Sequence, residues 1–282
     1  MSTYSGRRPR TTDHDRIRTI TDRVCAAWAS RFSGSGIELP LSAVAALAHL
    51  RDRNPRKATD DFLDLDRQQA AHVLRMLWTG FTRTRPDLAY RVLPLAQHSH
   101  HKGRSDHDAA LAAIARTAVS AGLFDLTMTP SRTSTDLFGP LLMGLRPRKA
   151  LESHGQFYTS PSTAALLADM DAVPPPGSAV CEHSAGTGAL VLALAERIRA
   201  HGGDPADLRW ELVDIDPVAT ACLAVNADLW QLGPHVLIGC ADSLTGNWQA
   251  RARYERGLGI EIDRTRALYR LAVLGDRYAS AA

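Results

Sequence analysis

Three acids and a pair of glycines are the residues of this chain best spaced to do chemistry. Glu182-His183-Ser184-Ala185-Gly186-Thr187-Gly188 leads from a short apolar run, Ser178 to Cys181, into Ala189-Leu190-Val191-Leu192-Ala193-Leu194. A strand that turns through small residues into a helix leaves bare backbone N–H groups at the helix start, where a carboxylate or phosphate can sit. Gly186 and Gly188 are expected to let the chain pass close to a ligand, where a Cβ would collide. Downstream, Trp210-Glu211-Leu212-Val213 ends in Asp214-Ile215-Asp216-Pro217, and His235 to Cys240 runs into Ala241-Asp242. Each is an apolar run that closes on an acid.

Three strand-then-acid units with helices between them predict a doubly wound parallel sheet. Glu182, Asp214 and Asp242 would then share its carboxyl edge, where such sheets bind ligands. A nicotinamide fingerprint would read G-x-G-x-x-G, but only Gly186-Thr187-Gly188 is present, and an acid precedes it. Glu182 would repel a pyrophosphate and attract an α-amino group. An acid before the glycines and another ending the second strand, where ribose hydroxyls donate, suit S-adenosyl-L-methionine (SAM). Of the two acids after that strand, Asp214 is the expected ribose ligand rather than Asp216.

Gly155-Gln156-Phe157-Tyr158-Thr159-Ser160-Pro161 resembles the G-x-F-Y-T-P segment of N6-adenine DNA methyltransferases, in particular the modification subunits of type I restriction systems. In that family the segment precedes an E/D-P-x-x-G-T-G loop, a strand-two acid and a strand-three acid, in this order. Asp136-Leu137-Phe138-Gly139 is similar to the D-x-x-G found upstream of it, and the likeness covers roughly residues 134–245. It implies a Rossmann-like, SAM-dependent methyltransferase fold of the α/β class, with DNA as substrate. Tyr158, Thr159, Glu182 and the backbone from Ser184 through Gly186 and Thr187 to Gly188 would hold the methionine end. Asp214 would hold the ribose, Ile215 would lie beside the adenine ring, and Asp242 would accept from the adenine amino group.

The match has departures. Ser160 and His183 stand where the family has proline. More seriously, the [N/D/S]-P-P-[F/Y/W] loop that receives the target amine is not found: Pro174-Pro175-Pro176-Gly177 reads as a linker, and Asn54-Pro55-Arg56 lacks the second proline and the ring. Four further strands would need on the order of 100 residues, against the stretch 243–282 here. The expectation is a cofactor half, with a partial sheet, that a second polypeptide could complete or give specificity. The alternative is a non-catalytic SAM-binding or DNA-associated protein.

The elements that must carry this site fall into three parts: a helical amino-terminal domain over 1–133, a SAM-binding, methyltransferase-like domain over 134–246, and a basic, partly helical tail over 247–282. At 282 residues two domains are expected, and 45% apolar content is ample for packed cores. Helical spacing is clear at Ile17, Ile20, Val24, Ala27 and Trp28, at Val44, Leu47 and Leu50, and at Val73, Leu74, Leu77 and Trp78. An alanine-rich helix from Asp108 should end at Gly122. In the tail, Gly257 and Gly259 are expected to interrupt a partial helix, and Gly259 to Asp263 reads as a chance echo of the second strand rather than a fourth one. The open edge of the first strand must be covered by the tail or by a partner.

Cys181 and Cys240 fall inside predicted buried strands, and with Cys25 and Cys222 they read as apolar fillers of a reduced, cytoplasmic protein. No segment approaches a membrane span, and Ser2 to Arg10 is polar and basic rather than a leader. Net charge is +3, carried almost wholly by arginine, which suits phosphate contacts without proving them. His98, His100, His101 and His107 read as a solvated loop rather than a metal site.

Overall fold

Two layers of helices flank a small parallel sheet in a computed structural model that describes residues 12–31, 36–100, 105–146, 159–170 and 172–279. The helical layer comprises α1 (Asp13–Arg31), α2 (Glu38–Ala48), α3 (Pro55–Asp64), α4 (Arg67–Thr84), α5 (Leu93–His100), α6 (Ser105–Ser120) and α7 (Leu123–Thr127). Then come α8 (Phe138–Leu145), α9 (Pro161–Met170), β1 (Ala179–Glu182), α10 (Ala189–Ala200), β2 (Arg209–Asp214), α11 (Pro217–Leu229), β3 (Val236–Cys240) and α12 (Trp248–Ala279). All three expected strands form, each with the expected acid at or just beyond its carboxyl end.

The helix starts follow local chemistry. Asp66 accepts from Gln69 N at 2.8 Å while Gln69 Oε1 accepts from Asp66 N at 2.8 Å, a reciprocal cap that launches α4. Asn54 caps α3 through Lys57 N at 3.1 Å with Pro55 in the first turn, so Asn-Pro-Arg here is a helix start. On α1, Ile20, Val24 and Trp28 face the core as their spacing predicts.

The strands are parallel in the order β1-β2-β3, with Glu182 beside Leu212 and Asp214 beside Cys240. Helix α11 lies between this sheet and helices α2 and α5. Its residues are buried on every side from Val218 to Leu229 except Asp228, which is why its sequence shows no polar stripe. One apolar cluster therefore runs from Ile20 of α1 through α11 to Ile238 of β3.

Asp228 is that helix's exception, and it meets His49 at 3.4 Å, with Arg51 and Arg85 at 3.4 and 3.6 Å. His49 is stacked on Phe81 with ring centroids 4.2 Å apart, and its Nε2 is buried without a partner. Burial, opposed only in part by Asp228, lowers the imidazole pKa, so the neutral ring is favoured.

One expectation about the tail is corrected, and the pair of candidates for covering β1 is narrowed. Helix α12 is continuous through Gly257 and Gly259, and Ile260 and Ile262 lie on it rather than on a strand. A Cβ at Gly259 would come within 2.3 Å of the Pro86 carbonyl, so this glycine serves close helix packing and not a break. Nor does the tail cover β1. Trp248 packs over Gly239 and Ala252 joins Val213, which seats the helix beside β2 and β3, while a buried Arg91–Glu255 ion pair ties it to the turn before α5. Among the described residues β1 pairs only with β2.

The cysteine expectation is also corrected. All four are free, but Cys181 is exposed and Cys240 half-buried, because β1 is an edge strand and both lie near the open end of the sheet. Only Cys222, inside α11, is buried, and burial raises its thiol pKa strongly. Cys25 is pushed up to about 11 by burial and by Asp22. No described helix is long and apolar enough to cross a membrane.

Candidate functional site

Where β1 and β2 end, the chain opens into a cleft of about 400 Å³. Glu182 ends β1 opposite Leu212, Asp214 ends β2 two residues farther along, and both acids line the cleft because the strands are parallel. The turn between β1 and α10 supplies Ser184, Gly186 and Thr187, and Ile215 and Asp216 follow β2. Thr159 reaches the cleft from the segment before α9, and α8 closes the far wall with Leu142, Met143 and Arg146.

The carboxylates organise the backbone around them. Asp214 accepts from Gly186 N at 2.7 Å through one oxygen and from Asp216 N at 2.9 Å through the other. Four lone-pair sites on a carboxylate leave room for two further donors. Glu182 Oε1 accepts from Ser184 N at 2.9 Å and Ser184 Oγ at 3.1 Å. The turn is tied to the sheet by Ala185 N donating to Val213 O at 3.0 Å.

Asp216, the acid given less weight in the sequence, also lines the cleft. Its carboxylate caps α11 through Val218 N at 2.9 Å and Ala219 N at 3.2 Å, and receives Arg146 Nη2. Burial opposes its charge, but the Arg146 guanidinium and the two backbone donors outweigh it and hold the carboxyl below the usual range. Arg146, from the end of α8, carried no signal in the sequence: its partner lies 70 positions away.

Gly188 is not among the residues that line the cleft. It sits at φ +102° as the N-cap of α10, and a Cβ there would meet Leu223 Cδ1 and Trp230 Cζ3 at 2.7 Å. The space it protects belongs to the protein's own core. Gly186, at φ +53°, is different: nothing lies within 4 Å of its missing Cβ, and it faces the cleft. Helix α10 has no side-chain cap, so the first N–H groups, beside cleft residues Ala189 and Leu190, lack that satisfaction.

Asp242 stands outside the cleft as well. It is exposed and its Oδ1 accepts from Leu244 N at 2.9 Å, capping a short turn after β3. An Asp followed by Ser-Leu-Thr satisfies its own chain first, a local bond that strand position alone did not reveal. Tyr158, with Gly155 to Phe157, lies outside the described residues.

The Asp136-to-Gly139 motif supports the site from behind. Asp136 Oδ1 accepts from Gly139 N at 2.9 Å, and Asn226 Nδ2 lies 3.5 Å from the same oxygen while donating to Thr187 O at 2.8 Å. Asn226 is fully buried on α11, so it clamps the glycine turn from within the core. Elsewhere, His107 Nε2 contacts the His98 carbonyl and the two rings lie 6.4 Å apart; His101 is outside the described residues.

The chain matches no protein-family model and no curated protein.

Proposed function

We propose that this chain binds S-adenosyl-L-methionine in the cleft and is the cofactor half of an N6-adenine DNA methyltransferase of the restriction-modification class. The observation that carries this reading is the convergence of Thr159, Glu182, Ser184, Gly186, Asp214 and Ile215 on one cleft at the sheet's carboxyl edge. Charge supports it further. The lining holds three carboxylates and one arginine, and that arginine is paired with Asp216. A phosphate would be repelled, whereas a ligand with a sulfonium and an ammonium would be held.

The chain's groups fit the parts of such a ligand. The free oxygen of Glu182 takes the ammonium, and the uncapped start of α10 takes the carboxylate. Asp214 takes the ribose hydroxyls with its remaining lone pairs. Ile215, 66% exposed on the rim, offers an apolar surface to the base. The bound cofactor supplies an already activated methyl group. The protein's task is then to hold it in line with an extruded amine, with little acid–base work.

In this reading the three strands are part of a Rossmann-like sheet, in which the first strand has a neighbour on each side. The unpaired β1 edge is then where further strands continue the sheet and bring the target-base loop. Beside it runs a groove of about 470 Å³ lined by Leu167, Val180 and Leu194, with Leu166 64% and Met170 75% exposed nearby. Such an apolar margin to an open edge fits a protein partner. The missing target-base tetrapeptide keeps a second reading in play, a SAM-binding protein that does not itself transfer methyl groups.

Calorimetric titration with SAM tests the cofactor assignment, and absence of binding would refute it. Asp214→Ala should weaken binding by about 1–3 kcal/mol, the scale of lost buried hydrogen bonds. Radiolabelled methyl transfer to DNA separates the two readings. Turnover, alone or with an added partner, favours the methyltransferase, and binding without turnover under every pairing favours the second.

A further inference from the structure

Helix α8 has two faces with different work. Phe138, Leu141 and Leu145 recur at helical spacing and are buried, and the helix packs on α1, α2 and α11. Gly139, Leu142, Met143 and Arg146 recur on the face that walls the cleft. A Cβ at Gly144 would come within 2.8 Å of Cys25 Sγ and 3.2 Å of Thr21 Cγ2, so α8 lies hard against α1. The wall is therefore held from behind.

Both ends of this wall are tied to a turn that shapes the cleft. Before its start, Asp136 Oδ1 accepts from Gly139 N at 2.9 Å, and Asn226, 3.5 Å from that oxygen, donates to the Thr187 carbonyl of the glycine turn. After its end, Arg146 Nη2 donates to Asp216 Oδ2. The other Asp216 oxygen accepts from Val218 N at 2.9 Å and Ala219 N at 3.2 Å, which starts α11. The Asp216 N–H in turn donates to Asp214 Oδ1 at 2.9 Å. A single residue thus stands between the Arg146 guanidinium and the carboxylate assigned to the ribose. The paired side chains are only 14% and 7% exposed, so each charge is met inside the protein rather than offered to a ligand.

We propose that Arg146 is a positioning residue: through Asp216 it fixes the turn between β2 and α11, so that Asp214 and Ile215 hold the nucleoside. This inference rests on the cofactor reading and adds to it a residue outside every motif that led there. Removing the guanidinium leaves Asp216 a buried carboxylate without its cation, and the turn must move to rehydrate it. That movement carries the Asp216 N–H, and with it the orientation of Asp214. Binding groups keep their geometry only while the partners behind them keep theirs.

Titration of the full chain with SAM and with adenosine compares the parent with Arg146→Met, which removes the charge, and Arg146→Lys, which keeps it. Arg91→Met breaks the buried Arg91–Glu255 pair away from the cleft and controls for the loss of an ion pair. Circular dichroism melts check folding. Arg146→Met should bind SAM and adenosine each about tenfold more weakly, since both ligands carry the ribose. Arg146→Lys should recover most of that loss, and Arg91→Met should bind as the parent does. Hydrogen–deuterium exchange without ligand should quicken over 214–219 in Arg146→Met and stay unchanged over β3. Unchanged affinity in Arg146→Met, a loss confined to SAM (which would put Arg146 on the amino-acid carboxylate), an equal loss in Arg91→Met, or unaltered exchange over 214–219 would each overturn the assignment. Should Arg146→Met not fold, Arg146→Gln, which keeps an N–H donor, replaces it, with the same pattern expected at about threefold. A parent that binds neither ligand refutes the cofactor reading instead, and the exchange result still decides whether Arg146 fixes the turn.

Discussion

Replacing Gly186 and Gly188 separately by alanine distinguishes a residue that leaves room for a ligand from one that leaves room for the core. At Gly188 two penalties add. A φ of +102° is disfavoured for any side chain, by about 1–2 kcal/mol. A Cβ 2.7 Å from both Leu223 and Trp230 must also push apart two fully buried residues, an overpacking cost of about 1–3 kcal/mol. Gly188→Ala should thus lose about 2–5 kcal/mol of unfolding free energy in a urea titration. At Gly186 the φ of +53° costs about 1 kcal/mol and no neighbour resists the methyl group. Gly186→Ala should therefore fold nearly as well as the parent, yet lose SAM affinity by about tenfold or more, because the methyl projects into the cleft. Equal stability losses in the two variants would refute the packing argument, and unchanged SAM affinity in Gly186→Ala would refute the cleft assignment.

His49 should make the fold acid-sensitive before any carboxylate titrates. Its folded pKa lies below the unfolded value, so the unfolded chain takes the proton first. Stability is then complete above about pH 6.5 and falls below it by up to ~1.4 kcal/mol per pH unit, until the folded pKa is reached. His49→Phe should flatten that limb in urea melts run from pH 7 to 5, and an unaltered limb would contradict the assignment. Asn226→Leu strands the buried Thr187 carbonyl and should cost about 1–3 kcal/mol of stability; an equally stable variant would remove the clamp from the account. Trp248→Ala should cost about 3–5 kcal/mol by emptying the space over Gly239. A loss below ~1 kcal/mol would mean that α12 does not dock on the sheet.

The sequence revealed best what depends on short-range pattern. The three strands, the acids that end them and the glycine turn are each set by residues within a few positions, so their order could be read directly. Helix α6 and its stop before Gly122 were legible for the same reason. What escaped depends on distant partners. Gly188 faces Trp230, Asp216 meets Arg146 from α8, and Gly259 meets the Pro86 carbonyl. Asp242 looked like its two counterparts, but it does not line the cleft, and one of its carboxylate oxygens caps the turn that follows by accepting from Leu244 N. Cys181 was misread because burial of a strand depends on neighbours that its own sequence does not contain.

In the proposed function the cleft grips a cationic nucleoside through Glu182 and Asp214. Competitive titration of the purified chain with SAM, ATP and NAD measures it directly. SAM should bind, neither phosphate-bearing ligand should displace it at comparable concentration, and Glu182→Gln should weaken SAM selectively. Tighter binding of ATP or NAD, or a Glu182→Gln variant that holds SAM as well as the parent, would contradict it.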